Sequence, residues 1–201
     1  MAIKIDLEKA YVRLEWSFIR ETLSLFKFPK DLITLIMSCV SSSSIAILFN
    51  KGALESFRPS RGIRQGDPLS PFLFILCMEV LWALIMEKCE AKLWNSIKAS
   101  RGGLAFSHLF FTDDLVLFAK ADRKNCVVVR DALDTFCSLS GQKVSCEKSR
   151  VFFSPNVPPK DRSTFCDLLE FRSIPTLGKY LGFPIKHTSL PQDFNFIIER
   201  M

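Results

Sequence analysis

Between Phe110 and Phe118 the chain reads Phe-Phe-Thr-Asp-Asp-Leu-Val-Leu-Phe, which sets Asp113 and Asp114 between two apolar runs. Leu104–Phe111 and Leu115–Ala119 are rich in residues that suit a half-buried pleated surface. The spacing predicts a buried β-hairpin turning on Thr112, Asp113 and Asp114. Aspartate in such a turn is explained by turn geometry alone. Two carboxylates held between hydrophobic walls, however, repel each other and desolvate poorly. A divalent cation resolves that conflict, and magnesium favours a few carboxylates supplemented by waters and substrate phosphates. Both readings are open on this stretch alone.

Residues 3–7, Ile-Lys-Ile-Asp-Leu, alternate at period two and predict a short strand ending near Asp6. Asp6 is therefore a third candidate carboxylate. Three such groups can hold two metal ions ~3.5–4 Å apart for phosphoryl transfer. Sequence spacing does not by itself bring Asp6 to Asp113. An amphipathic helix is expected from Glu8 to Lys27, closed by Pro29, and a second from Asp31 to Val40 with Asp31 near its N-cap. Ile45–Phe49 and Ala53–Phe57 flank Asn50-Lys51-Gly52, a hairpin signature.

Phe57–Gln65 is a basic loop punctuated by proline and glycine, and it opens a long apolar helix from Pro68 to Lys88. Its arginines, Arg58, Arg61 and Arg64, lie ahead of a helix N-terminus, an arrangement suited to phosphate and equally to a solvated loop. Lys143, Lys148 and Arg150 form a second basic cluster of the kind that usually faces water. A helix over Ala121–Leu139 ends at Ser140–Gly141, followed by a strand over Val151–Phe153, a helix over Val157–Leu169 and a strand over Tyr180–Ile185. The plan is α+β: an antiparallel sheet covered by helices on one face, with no linker long enough to divide it.

The chain has 201 residues, 48% hydrophobic and 24% charged, values that exclude a disordered tail or a fibre. Nineteen Phe against two Tyr and three Trp mark the aromatics as core filler. The formal charge of +6 and a pI near 9.0 hint at a polyanionic partner. Seven cysteines include no Cys-x-x-Cys, and His108 and His187 flank none at zinc-ligand spacing. Neither a disulfide nor a zinc framework is expected, and the thiols should be reduced and mostly buried. Leu69–Met86 approaches the length of a membrane span but carries Pro71 and a central Glu79, so a buried helix is expected and no membrane partner. The N-terminus lacks the apolar core of a signal peptide; the location stays open on the sequence, with an intracellular one, nucleus or cytoplasm, compatible with it.

Five segments in order, KIDLEKAYVRLEW, GIRQGDPLSPFLF, FTDDLVLFAK, SGQKVSCEKS and KYLGFPI, resemble the successive palm motifs of reverse transcriptases. The resemblance is nearest to the non-LTR (LINE-type) retrotransposons, especially the plant kind. RQGDPLSP is the most specific piece, and the weaker motifs gain weight from their order. The match runs from Ile3 to about Ile185. It implies a polymerase palm-like α+β fold over residues 1–185, with 186–201 beginning a thumb or connection, or forming a frayed tail.

By this resemblance Asp6, Asp113 and Asp114 are the catalytic carboxylates. Asp6 would bridge two metal ions with help from the Leu7 carbonyl, Asp113 would bind metal and Asp114 would support the site. Tyr11 matches the aromatic gate under the incoming sugar. Arg64, Gln65 and Gly66 match the loop that packs on nucleotide and template, and Lys148 the lysine near the triphosphate. Tyr180, Leu181 and Gly182 resemble the hairpin that grips the primer. The implied activity is RNA-directed DNA polymerisation, nucleotidyl transfer to a primer 3′-hydroxyl with two Mg²⁺ ions, for which Mn²⁺ can substitute. RNA template, DNA primer and dNTP are the implied partners.

Two departures from the family stand out. Val12 occupies a position where the family usually has aspartate, and Thr112 one where it usually has alanine. The first motif also lies almost at the start of the chain, so most of the fingers are expected to be missing. Weak activity or none is expected of the chain alone. The alternative is a non-catalytic nucleic-acid-binding or interaction remnant of a retroelement.

Overall fold

A computed structural model describes residues 1–98, 102–181 and 183–184. In chain order the elements are β1 (Ala2–Ile5), α1 (Ala10–Arg13), α2 (Trp16–Leu25), α3 (Lys30–Ser41), β2 (Leu48–Phe49), β3 (Gly52–Ala53) and α4 (Ser70–Glu90). There follow β4 (Ile97–Lys98), β5 (Ala105–Phe106), β6 (His108–Phe111), β7 (Asp114–Phe118), α5 (Arg123–Ser140), β8 (Arg150–Phe152), α6 (Pro159–Leu169), β9 (Arg172–Ser173), β10 (Lys179–Tyr180) and β11 (Phe183–Pro184). Two compact units are formed, one from Met1–Asp6, Ile85–Leu133 and Val144 onward, the other from Leu7–Leu84 and Asp134–Lys143.

The first unit is built on a five-stranded sheet in the order β6-β7-β1-β8-β9. β1 is the central strand: Ala2 pairs with Phe118 on one side and Phe152 on the other. Because side chains alternate across a strand, Ile3, Ile5, Leu115, Leu117 and Val151 share one face, which is almost wholly inaccessible. Ala2, Val116 and Phe118 lie on the other, packed with Leu177 and flanked by Ile97, Phe106, Phe152 and Tyr180. The sheet is antiparallel except at its edge, where β9 runs parallel to β8. Asp122 starts α5 with its Oδ1 accepting from the Asn125 backbone and side chain, each at 2.8 Å. Asn125 in turn accepts from the Asn95 backbone at 2.7 Å.

Several expected elements are divided here. The run Leu104–Phe111 breaks into β5 and β6, because β5 pairs with β4 while β6 pairs with β7. The strand expected at Tyr180–Ile185 is the two-stranded hairpin β10–β11, with Leu181 in the left-handed region at φ 50°. Ile185 lies outside the described residues.

In the second unit the helix expected over Glu8–Lys27 is two helices. Lys9 adopts φ 50°, and Leu14 and Glu15 are extended between α1 and α2. Tertiary partners take the backbone groups this break releases: Gly62 N–H donates to the Leu14 carbonyl at 2.7 Å and Glu15 N–H to that of Ser140 at 3.0 Å. Phe18 meets Phe136 edge-on at 6.0 Å. Asp31 lies in the first turn of α3, not at its cap, which is Pro29. α4 starts at Ser70, two residues later than expected, where Asp67 Oδ1 accepts from Leu69 N–H at 2.8 Å.

The β2–β3 hairpin turns on Asn50 and Lys51, both at positive φ, while Gly52 belongs to the strand. Leu48 and Phe49 are 80% and 63% exposed. Among the described residues no disulfide joins the cysteines; Cys77 and Cys126 are buried, Cys39 and Cys146 exposed and the others between, so fewer are buried than expected. No helix among the described residues is long and apolar enough to cross a membrane.

Candidate active site

Sheet register sets two carboxylates of the first unit at the ends of adjacent strands. Ile5 pairs with Leu115, so Asp6 and Asp114 follow at the same end of adjacent strands and, by alternation, on the same face. The two-residue turn between Phe111 and Asp114 consists of Thr112 and Asp113. Thr112 sits at φ 51°, a left-handed conformation that is unusual for a β-branched residue. Its hydroxyl donates to Asp113 Oδ1 at 3.0 Å. Asp113 is exposed, whereas Asp6 and Asp114 are half-buried.

One turn holds the backbone of Asp6 from both sides. Asp6 N–H donates to Ser149 Oγ at 3.1 Å, and the Asp6 carbonyl accepts from Ser145 N–H at 2.8 Å. Ser149 N–H closes the turn onto the Ser145 carbonyl at 2.8 Å. Lys148 rides on this turn with its side chain exposed, which ties the second basic cluster to the end of β1. Sequence reasoning missed both serines: nothing in SGQKVSCEKS distinguishes them from surface serines.

Tyr180, from β10, reaches the same hairpin. Its hydroxyl donates to the Asp114 carbonyl at 3.5 Å. Burial, with the Asp114 carboxylate beside it, pushes the phenol above its ordinary range. Leu181 is exposed, and Gly182 lies outside the described residues.

The second unit gathers Tyr11 and the basic loop. Tyr11 stacks on Phe74 with ring centroids 4.8 Å apart and planes within 10°. The loop is pinned to this segment where Ile63 N–H donates to the Tyr11 carbonyl at 2.8 Å and Trp16 Nε1 to that of Gly62 at 2.7 Å. Arg64, Gln65 and Gly66 then project as exposed residues. Leu7, next after Asp6, buries its side chain, leaving its carbonyl as the only group it could offer a ligand.

Among the described residues no group of three or more His, Cys, Asp or Glu is gathered tightly enough to hold a metal. None of the three carboxylates is engaged in an ion pair among those residues. All-oxygen donors, partly exposed and unpaired at neighbouring strand ends, fit a hard cation that takes one or two carboxylates and completes its shell with water and phosphate.

A mixed α/β chain whose central strand is flanked by a carboxylate-bearing hairpin has the polymerase palm fold. An apo telomerase of Candida tropicalis, truncated from the C-terminal domain, has the same fold, with a TM-score of 0.56 and 18% identity over 74% of this chain and 29% of that one. A Candida albicans telomerase, in complex with a TWJ fragment of telomeric RNA, gives 0.56 and 16% over 79% and 27%. The reverse transcriptase (RNA-dependent DNA polymerase) family matches residues 1–185, and the chain belongs to that family, as a domain of the non-LTR type.

Among its relatives is the Pol polyprotein of the type-2 retrotransposable element R2DM of Drosophila melanogaster, 31% identical over 89% of this chain and 17% of the polyprotein. A Pol polyprotein of a type-1 element R2 from Popillia japonica is 26% identical over 94% of this chain and 31% of its own length. A 56-residue stretch is 52% identical to an uncharacterized mitochondrial protein of Arabidopsis thaliana, 28% of this chain and 46% of that protein. Reverse transcriptases generally use divalent metal ions.

Proposed function

We propose that this chain is the palm of an RNA-directed DNA polymerase, transferring a deoxynucleotide to a primer 3′-hydroxyl on an RNA template. The observation that carries the reading is the sheet register, which sets Asp6 beside Asp114 at one end of β1 and β7 with Asp113 in the adjoining turn. Asp6 and Asp113, with the Leu7 carbonyl, would hold two Mg²⁺ ions, or Mn²⁺ in their place, and Asp114 would support the pair. When bound, such ions align the attacking oxygen and stabilise charge on the leaving pyrophosphate.

The chain's own groups do the positioning. Tyr180, anchored at the Asp114 carbonyl, holds the primer end with Leu181 and Gly182. Lys148 offers its ammonium to the triphosphate. Tyr11, fixed by Phe74, presents a flat aromatic face to the sugar of the dNTP, and Arg64, Gln65 and Gly66 pack on nucleotide and template. Base pairing supplies sequence specificity, so the protein reads backbone and shape. Residues 1–185 make up this palm; residues 186–201, where a thumb or tail is expected, lie outside the described residues.

Primer extension on an RNA template with dNTP and Mn²⁺ tests the reading. Weak incorporation abolished by Asp113→Asn supports it. Primer–template binding with no incorporation by the unaltered chain would favour the non-catalytic remnant instead.

A further inference from the structure

β1 stops being held by its sheet partners just before the residue that matters. Its last pair with β7 is Ile5–Leu115, and its last with β8 is Lys4–Arg150. The main-chain groups of Asp6 would be left to water, yet both are taken by the turn Ser145–Ser149. Ser149 is 0% exposed, so its hydroxyl cannot be exchanged for bulk solvent. The Asp6 N–H is partly buried, so losing its acceptor is costly and is relieved by backbone movement. Such movement at Asp6 swings the carboxylate, which hangs only two bonds from the main chain.

We propose that Ser149 is a positioning residue for Asp6, and that the turn it closes fixes the direction of the Asp6 carboxylate relative to Lys148. The inference rests on the reading of Asp6 as a metal ligand. Partners that orient a ligating carboxylate typically govern ~10–100-fold in metal affinity. Acting through the backbone, Ser149 should lie at about the lower end of that range.

The test is Mn²⁺ titration of the full chain, followed by electron paramagnetic resonance of the free ion, alongside thermal unfolding. Ser149→Ala should weaken Mn²⁺ binding about tenfold. Ser140→Ala is the control: Ser140 is equally buried and donates to the Phe136 carbonyl at 2.6 Å, so its loss should lower the melting temperature and leave Mn²⁺ affinity alone. Unchanged affinity in Ser149→Ala, with binding lost in Asp6→Asn, overturns the positioning role and spares the metal site. Binding that survives Asp6→Asn overturns the metal-site reading and this inference with it. If Ser149→Ala does not fold, Ser149→Thr decides: retained affinity supports the role, and a tenfold loss despite the hydroxyl refutes it.

Discussion

A Cβ placed on Gly62 would sit 2.6 Å from the carbonyl oxygen of Val12. The loop bearing Arg64 and the helix bearing Tyr11 are thus in backbone contact, and only glycine allows it. Gly66, at φ +87°, has nothing within 4 Å of its would-be Cβ. The two positions separate strain from collision. Gly66→Ala should cost about 1 kcal/mol from left-handed strain alone. Gly62→Ala adds overpacking and should cost about 3 kcal/mol. Denaturant unfolding of both variants checks the difference, and equal losses would refute the close-contact account.

Asp122 should govern part of the acid stability. Partial burial pushes its carboxyl up, but hydrogen bonds from Asn125 and the neighbouring Lys120 outweigh this and bring it below its ordinary 3.8. A carboxylate depressed in the folded state contributes stability that is present above the unfolded value and lost as pH falls through the folded one. Loss is therefore expected below about pH 4. Asp122→Ala should cost about 1 kcal/mol at neutral pH. Asp122→Asn should retain most of the cap while flattening the acid limb, which unfolding curves between pH 2 and 7 would reveal.

Thiol reactivity should be sharply graded. Burial pushes Cys77 and Cys126 up to about 12, so neither offers thiolate at neutral pH. Cys39 and Cys146 are exposed and should react first with an aromatic disulfide reagent. Cys77 and Cys126 should label only on unfolding. Labelled peptides identified by mass spectrometry would settle the order.

The β2–β3 hairpin predicts limited solubility. A two-stranded hairpin is marginal in water by itself, and this one exposes Ile47, Leu48, Phe49 and Leu54. Leu48→Ser with Phe49→Ser should raise the protein concentration at which light scattering begins. An unchanged threshold would show that this patch does not limit solubility.

Much of this architecture is legible from local pattern. The FFTDDLVLF stretch predicts its hairpin because the apolar runs and the turn residues agree, and α3 to α6 fall within a few residues of their expected bounds. The failures share a cause. The Glu8–Lys27 helix breaks at Leu14 because Gly62 and Ser140 claim its backbone groups, partners far away in sequence. β4 and β9 are two-residue strands, too short for periodicity to register. In the candidate site the carboxylates carry a chemical signature, whereas Ser145 and Ser149 act through backbone contacts that no composition announces. Thr112 is legible as a turn residue, but its left-handed backbone is not, since a β-branched side chain argues against it.

The central position of β1 also bears on how the chain comes to be folded. Its four residues lie more than a hundred positions ahead of their partners: Ala2 pairs with Phe118 and with Phe152. Long-range pairing of this kind makes folding slow. During translation the Ile-Lys-Ile segment must wait, unpaired, until the chain through Phe118 and then Phe152 has left the ribosome. Asp6 therefore gains its β7 neighbour Asp114 before the Ser145–Ser149 turn that holds its main chain has been made.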